Sequence, residues 1–191
     1  MIKKGIILAG GLGSRMSPVT KSVNKQLLPI YDKPLIYYPL SVLMLAGIRD
    51  ILIIVNKGAI NQFKKILKNG ENFGVKIKYL EQTKPSGLPD AFKIGKNFIA
   101  KDNVSLILGD NFFYGQSLSE KLKNISKLKR GATILVHPVS NPKQFGVATI
   151  KNKKIIKLEE KPNITKSNLA VTGLYFFDNS VVKKVTKLKK S

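Results

Sequence analysis

The chain has 191 residues, 43% of them apolar, which is enough to bury a globular core without disulfides or a structural metal. It contains no cysteine, and this excludes disulfides, thiolate metal sites and cysteine nucleophiles. Thirty-four lysines and arginines against eleven acidic residues give a formal net charge of +23, which favours a negatively charged ligand.

The positive charge raises nucleic-acid binding as the first alternative. Against it, the lysines are spread along the whole chain, and only Arg15, Arg49 and Arg130 are arginine. No zinc motif or RNA-binding signature accompanies them. We therefore predict no nucleic-acid partner, although a basic nucleic-acid-binding domain stays open as the competing interpretation.

The apolar segments of the chain do not predict export or membrane insertion. The N-terminal apolar run stops at Ala9, and no small-residue cleavage site follows it. The longest apolar-rich span, residues 34–48, contains two prolines and is too short to cross a bilayer. We expect a buried helix there, a cytoplasmic protein and no membrane partner.

Short apolar segments alternate with helical patterns through the first two thirds of the chain. The strand-like segments are GIILAG, DILIIV, VKIKYL and VSLILGD. Apolar residues at intervals of three and four predict helices over Tyr37–Ala46, Ala59–Leu67 and Asp90–Ile99. Strands separated by helices indicate βαβ crossovers and a parallel sheet.

From Gly131 onward the pattern changes to successive strands. These are ATILVHPV, FGVATI, KIIKLEE and LAVTGLYFF, and we expect them to be antiparallel or mixed. The sequence contains no internal repeat or linker, so we predict one domain over residues 1–191. The final segment begins as a helix and ends without a glycine cap or a proline, so we expect the fold to continue beyond Ser191.

A glycine-rich loop follows the first predicted strand, with Arg15 and Lys25 after it. The loop lacks the GxxxxGK pattern of a P-loop, and Met16 occupies the third glycine position of a dinucleotide-binding motif. Such a loop at the carboxyl end of a strand can offer its amides to a phosphate, with the two cations beside it. A plain glycine turn with two surface cations is the alternative at this point.

The segment GIILAGGLGSRMSPVTKSVNKQLLPIYDKPLIYYPL resembles the N-terminal signature of the sugar nucleotidyltransferases. Within that family, KQLLPIYDKPLIYYPLSVLMLAGIRDILII and LILGDNFFYG are similar to the glucose-1-phosphate thymidylyltransferases. The resemblance implies an α/β fold with a three-layer αβα Rossmann-like mixed sheet. It also implies that dTTP and glucose 1-phosphate give dTDP-glucose and pyrophosphate, the first step toward dTDP-rhamnose and related surface sugars.

The resemblance implies a catalytic pair, Arg15 and Lys25, and one magnesium ligand, Asp110. The residue types suit the reaction, since two polyanions approach each other and their charge has to be neutralised. Arg15 would hold the leaving pyrophosphate and Lys25 would lie between the two reacting phosphates. Asp110 ends an apolar strand, where a carboxylate can bind Mg²⁺ together with water and phosphate oxygens.

The other site residues also follow from the resemblance. Gln82 and the Gly87 amide would read thymine, within a nucleotide site formed by Leu8, Gly10, Gly11, Gly13, Gln26, Gln82, Pro85 and Gly87. The sugar site would comprise Phe145, Gly146, Glu160, Lys161 and Val171. Glu160 would accept from sugar hydroxyls, and Lys161 would meet the sugar phosphate. Many relatives have tyrosine at the position of Phe145, which removes one hydroxyl contact.

Two further points stay open from the sequence. The chain could be a nucleotide-sugar-binding regulatory module without turnover, and the preference for dTTP over UTP is not determined. The resemblance further implies that residues beyond Ser191 supply a second aspartate for the magnesium and complete the sugar site and a homo-oligomer. We therefore expect the 191-residue chain alone to bind dTTP with Mg²⁺ weakly and to turn over poorly or not at all.

Overall fold

The computed structural model describes residues 1–84 and 86–188, whose contacts form two units. The large unit comprises Met1–Thr133 and the chain from Phe176 onward, and the small unit comprises Ile134–Tyr175. A single nucleotidyltransferase domain over residues 1–191 stays a prediction.

Strands and helices alternate along the large unit. Its strands are β1 (Lys4–Ala9), β2 (Pro29–Ile30), β3 (Lys33–Pro34), β4 (Asp50–Asn56), β5 (Lys76–Gln82) and β6 (Val104–Leu108). Its helices are α1 (Tyr37–Leu45), α2 (Ile60–Leu67), α3 (Leu88–Ile94), α4 (Lys96–Ile99), α5 (Leu118–Ile125) and α6 (Ser180–Val185). Within the described ranges, no helix has both the length and the apolar character needed to span a membrane.

Four parallel strands form the sheet of the large unit, in the order β5, β4, β1, β6. Ile6 and Ile7 of β1 and all of Ile51–Val55 in β4 are fully buried. Strands that are covered on both faces consist of continuous apolar runs, as the sequence pattern indicated. The prediction of a parallel sheet from these four segments is confirmed.

Helices pack on both faces of this sheet. A Cβ built on Gly5 of β1 would lie 2.7 Å from Leu43 Cδ1 of α1, so α1 contacts one face closely. A Cβ on Gly95, between α3 and α4, would lie 3.1 Å from Ile6 Cδ1. Because successive strand residues point to opposite faces, α1 and the α3–α4 segment cover opposite sides of β1. The predicted three-layer arrangement is therefore confirmed.

Two helices differ from the sequence prediction. The predicted helix Asp90–Ile99 is divided at Gly95 into α3 and α4, where the backbone approaches both Ile6 and Leu52 of the sheet. Helix α5 was not predicted: Leu118, Leu122 and Ile125 recur at helical spacing, but the helix is only eight residues long and its other residues are polar.

Most residues of the predicted second set of strands belong to the small unit. These strands are β7 (Ala132–Pro138), β8 (Gly146–Lys151), β9 (Lys154–Glu160) and β10 (Leu169–Phe177). Strand β8 pairs antiparallel with both β9 and β10, and β7 pairs with β10. Antiparallel strands here and parallel strands in the large unit give the mixed α/β class that the sequence predicted.

Asp178 anchors the start of α6 to the large unit. Its Oδ2 accepts a hydrogen bond from the backbone N–H of Gly131, and its Oδ1 accepts from the N–H of Ser180 at 2.9 Å and from the Ser180 hydroxyl. The hydroxyl bond of Ser180, followed by the N–H of Gly131, holds the pKa of Asp178 below its ordinary value of 3.8. The ionised carboxylate is therefore favoured by folding.

We expect Asp178→Asn to lower the free energy of unfolding at pH 7 by up to about 1 kcal/mol, the scale of a helix-cap bond on a partly exposed group. Because folding lowers this pKa, the stabilisation is complete above the unfolded value and disappears as pH falls through the lower folded value. Urea unfolding at pH 7 and in steps below pH 4 measures it. Asp32→Asn, at an exposed carboxylate, controls for net charge. A stability difference that does not shrink in acid would contradict this account of Asp178.

Candidate active site

The carboxyl ends of the parallel strands bring the predicted nucleotide residues to one edge of the large unit. Gly10 follows β1, Gln82 ends β5 and Asp110 comes two residues after β6. Leu8 lies half-buried within β1. This edge of a parallel α/β sheet is where such folds bind ligands.

The glycine loop after β1 leads into three short 3-10 helices, Ser14–Met16, Val19–Lys21 and Lys25–Leu27. Gly13 has a φ of 62°, which favours glycine, and a Cβ there would lie 2.8 Å from Thr20 Cγ2 and 3.1 Å from Lys25 Cβ. The Thr20 hydroxyl donates to the Gly13 carbonyl at 2.9 Å. Gly13 and Thr20 thus bring the backbone of the loop against Lys25.

Lys25 and Asp110 form an ion pair across this edge. Lys25 Nζ lies 2.7 Å from Asp110 Oδ2, and the two side chains are 29% and 33% exposed. The residues are 85 positions apart in the chain, so the fold itself brings them together. Arg15 lies on the 3-10 helix Ser14–Met16 with its side chain exposed.

Gln26 has an unpaired polar atom in the interior. The residue is 2% exposed, and its Oε1 is buried with no hydrogen-bond partner among the residues that the structure describes. Its Nε2 would lie 3.7 Å from a Cβ on Gly11, so the side chain lies behind the glycine loop. A buried acceptor left unpaired costs about 1 to 3 kcal/mol, which a donor from a ligand would recover.

Gln82 packs directly against the glycine loop. It is 4% exposed, and its Nε2 donates to the Gly10 carbonyl at 2.8 Å and to Asn56 Oδ1 at 3.2 Å. A Cβ on Gly10 would lie only 1.9 Å from that Nε2. Gly10 is therefore required for close packing of Gln82, whereas the sequence alone indicated only an amide for phosphate.

The remaining nucleotide residues lie before α3. Gly87 is the N-cap of α3 with a φ of 83°, a conformation that favours glycine. Pro85 lies outside the described residues. Gly11 is exposed in the glycine loop.

The five predicted sugar residues lie together in the small unit. Gly146 and Glu160 are register partners in the β8–β9 pair, and the N–H of Lys161 donates to the Phe145 carbonyl at 3.0 Å. A Cβ on Gly146 would lie 3.2 Å from Glu160 Oε2 and 3.9 Å from Val171 Cβ. Phe145 is exposed.

Tyr175 is a residue of the small unit that the sequence interpretation did not select. Burial, and secondarily the charge of Glu160, raises the pKa of the Tyr175 hydroxyl. The only signal for Tyr175 in the sequence was its place at the end of the strand segment LAVTGLYFF.

Asn56 and Thr20 also contact predicted site residues without having been predicted. Asn56 is the last residue of β4, so the sequence could have indicated it as a polar residue at the end of an apolar strand. Thr20 belongs to the quoted family signature, but its contact with Gly13 needs the folded loop.

A separate groove of about 780 Å³ lies along β5 between α2 and α4. Lys64, Lys68 and Lys78 are among its lining residues, together with apolar side chains. It contains none of the predicted site residues, so the groove is distinct from the edge that carries Lys25 and Asp110.

Comparison with known proteins identifies the family. The family described as nucleotidyl transferase matches residues 4–191. A glucose-1-phosphate thymidylyltransferase of Neisseria meningitidis serogroup A is 54% identical over 189 residues, which are 98% of this chain and 66% of that protein. A protein of the same name from Mycolicibacterium smegmatis is 49% identical over 98% of this chain and 65% of its own length.

Solved structures agree with these sequence matches. The crystal structure of a candidate glucose-1-phosphate thymidylyltransferase from Bacillus anthracis, in complex with sucrose, has a TM-score of 0.90 and 41% identity, covering 97% of this chain and 75% of that one. UDP-glucose pyrophosphorylase complexed with UDP-glucose has a TM-score of 0.83 and 26% identity, over 100% and 81% of the two chains. This chain spans 66% of the length of the Neisseria meningitidis relative. It belongs to the nucleotidyl transferase family.

Proposed function

We propose that this protein transfers a thymidylyl group from dTTP to glucose 1-phosphate, forming dTDP-glucose and pyrophosphate. The observation that carries the proposal is the contact of Lys25 with Asp110 beside the glycine loop, at the ligand-binding edge of the sheet. The relatives from Neisseria meningitidis and Mycolicibacterium smegmatis, at 54% and 49% identity, support the choice of substrates.

In the proposed reaction, an oxygen of the sugar phosphate attacks the α-phosphorus of dTTP. The bond between the α-phosphorus and the bridging oxygen to the β-phosphorus breaks, and pyrophosphate leaves with that electron pair. Lys25 would neutralise charge on the α-phosphate, and the exposed fork of Arg15 would hold the departing pyrophosphate. The transfer would require in-line alignment of the attacking oxygen, the α-phosphorus and the leaving pyrophosphate.

Asp110 is the proposed magnesium ligand. Among the described residues no cluster of three or more histidine, cysteine or acidic side chains could hold a metal. One carboxylate is still compatible with Mg²⁺, which commonly keeps several waters and binds phosphate oxygens of the substrate. When bound, the ion would neutralise charge on the triphosphate. Asp110 would hold the ion, and the neighbouring Lys25 ammonium would bind the phosphates.

Nucleotide recognition would use the buried amides of the large unit. Gln82 would meet the base together with the Gly87 N–H, and the unpaired Oε1 of Gln26 would accept a hydrogen bond from the nucleotide. Leu8, Gly10, Gly11, Gly13 and Pro85 complete the proposed nucleotide residues. Binding of glucose 1-phosphate by Phe145, Gly146, Glu160, Lys161 and Val171 stays a prediction, as do the cytoplasmic location and the homo-oligomer.

Pyrophosphate release in the presence of glucose 1-phosphate and each nucleoside triphosphate tests the proposal. The 191-residue chain would be assayed beside a version extended with the part of the Neisseria meningitidis relative that this chain does not cover. We expect magnesium-dependent release with dTTP as the preferred nucleotide in the extended protein. Tight dTTP binding without release in both proteins would favour the regulatory module, and salt-sensitive DNA or RNA binding that dTTP does not compete would favour the nucleic-acid interpretation.

We expect Gln82→Ala to weaken dTTP binding about tenfold or more, since a base edge is then left without its partner. Equilibrium dialysis with labelled dTTP measures the affinity. Lys101→Gln and Lys153→Gln, at exposed surface positions, serve as matched controls for bulk charge and should bind as the parent chain does. Equal losses in all three variants would mean that general positive charge, rather than a base site, holds the nucleotide.

A further inference from the structure

Three neighbouring strand ends converge on the side-chain amide of Gln82. Asn56 and Gln82 are register partners at the ends of β4 and β5, and Gly10 follows the adjacent β1. The amide of Gln82 lies between the Gly10 carbonyl and the Asn56 side chain, at 2.8 Å and 3.2 Å. Gln82 is almost completely buried, so the positions of these two neighbours limit its rotation.

The chemistry of the neighbours determines which way the amide faces. The Gly10 carbonyl can only accept a hydrogen bond, so the Gln82 atom beside it has to be Nε2. The second hydrogen of Nε2 is directed to Asn56 Oδ1. Both donors of Gln82 are then occupied inside the protein, and Oε1 is the atom that remains to meet a ligand.

We propose that Asn56 is a positioning residue that fixes Gln82 as a hydrogen-bond acceptor for the nucleotide base, an inference that rests on the proposed function. An acceptor at this point matches the N3–H of thymine or uracil. Cytosine has an unprotonated N3, so the two acceptors would face each other without a hydrogen. Asn56 thus contributes to selection of an imide base over cytosine, although it does not touch the base.

Loss of the Asn56 acceptor leaves Gln82 held by Gly10 alone. The second Nε2 hydrogen is then unpaired in the interior, which lowers the barrier for the amide to rotate and to offer a donor instead. Selectivity, more than affinity for any one nucleotide, is the property that this change alters.

The test compares equilibrium binding of dTTP and dCTP to the parent chain and three variants. Asn56→Leu keeps the branched shape and removes the acceptor, Asn56→Asp keeps an acceptor oxygen, and Asn61→Leu makes the same change on the exposed face of α2. We expect Asn56→Leu to reduce the dTTP-to-dCTP affinity ratio about five- to tenfold. Asn56→Asp and Asn61→Leu should keep the parent ratio within about twofold.

An unchanged ratio in Asn56→Leu overturns the role of Asn56 while leaving the proposed function intact. A parent chain with no preference for dTTP overturns the proposed base recognition instead. In that second case, nuclear magnetic resonance of the ligand-free chain still tests the role of Asn56. The side-chain NH₂ signals of Gln82, identified by their loss in Gln82→Ala, should exchange slowly with water in the parent and faster in Asn56→Leu. Equal exchange rates in the two proteins would overturn the inference.

Discussion

Replacement of Lys25 by alanine is expected to lower the rate of pyrophosphate release about a hundredfold or more, the scale found when an electrostatic donor to a transition state is removed. The ammonium of Lys25 would act on charge that redistributes during phosphoryl transfer, so kcat should fall more than the affinity for dTTP. Steady-state kinetics of the extended protein with dTTP and glucose 1-phosphate measure both parameters.

Because Lys25 is partly exposed, the loss of activity in Lys25→Ala can be distinguished from a loss of stability. Lys25 and Asp110 are each about one third exposed, and ion pairs of this kind contribute only about 0 to 1 kcal/mol. Lys25→Ala should therefore unfold in urea close to the parent protein. Lys21→Ala, at an exposed lysine of the preceding 3-10 helix, is the matched control and should keep its activity. Near-normal pyrophosphate release in Lys25→Ala would refute the catalytic assignment.

The parallel sheet could be predicted mainly because β1, β4 and β6 are largely buried on both faces. Ile51–Val55 form an uninterrupted apolar run. A strand that is buried on both faces has such a run whichever elements cover it. The break between α3 and α4 could not be predicted, since it depends on contacts of Gly95 with Ile6 and Leu52 from two other strands. Local periodicity contains no information about such contacts.

The candidate site, like the fold, could be predicted from the sequence only in part. The family signature selected Lys25, Asp110 and Gln82 as separate residues, and strand spacing indicated that strand ends would meet. Neither the signature nor the spacing indicated that Lys25 and Asp110, which are 85 positions apart, pair with each other. They also did not reveal that the role of Gly10 is to leave space for Gln82, because that requires the positions of two strand ends at once.

The packing of Gly10 against Gln82 predicts the second large effect. A Cβ at position 10 would lie 1.9 Å from Gln82 Nε2 and 2.4 Å from its Cδ, far inside any tolerated contact. Gly10→Ala therefore has to move the Gln82 amide out of its buried position, which breaks its hydrogen bond to the Gly10 carbonyl. We expect the free energy of unfolding to fall by about 1 to 3 kcal/mol and dTTP affinity to fall at least about tenfold.

Urea unfolding and equilibrium binding of dTTP measure the two losses in Gly10→Ala. Gly115→Ala is the matched control, since a Cβ there meets no atom within 4 Å. The double variant Gly10→Ala with Gln82→Ala isolates the cause, because truncation of Gln82 removes the atoms that collide. If the collision is the source of the instability, the double variant should be as stable as Gln82→Ala alone, and the two losses should be strongly non-additive. Additive losses in the double variant would place the strain of Gly10→Ala elsewhere in the glycine loop and contradict the packing role of Gly10.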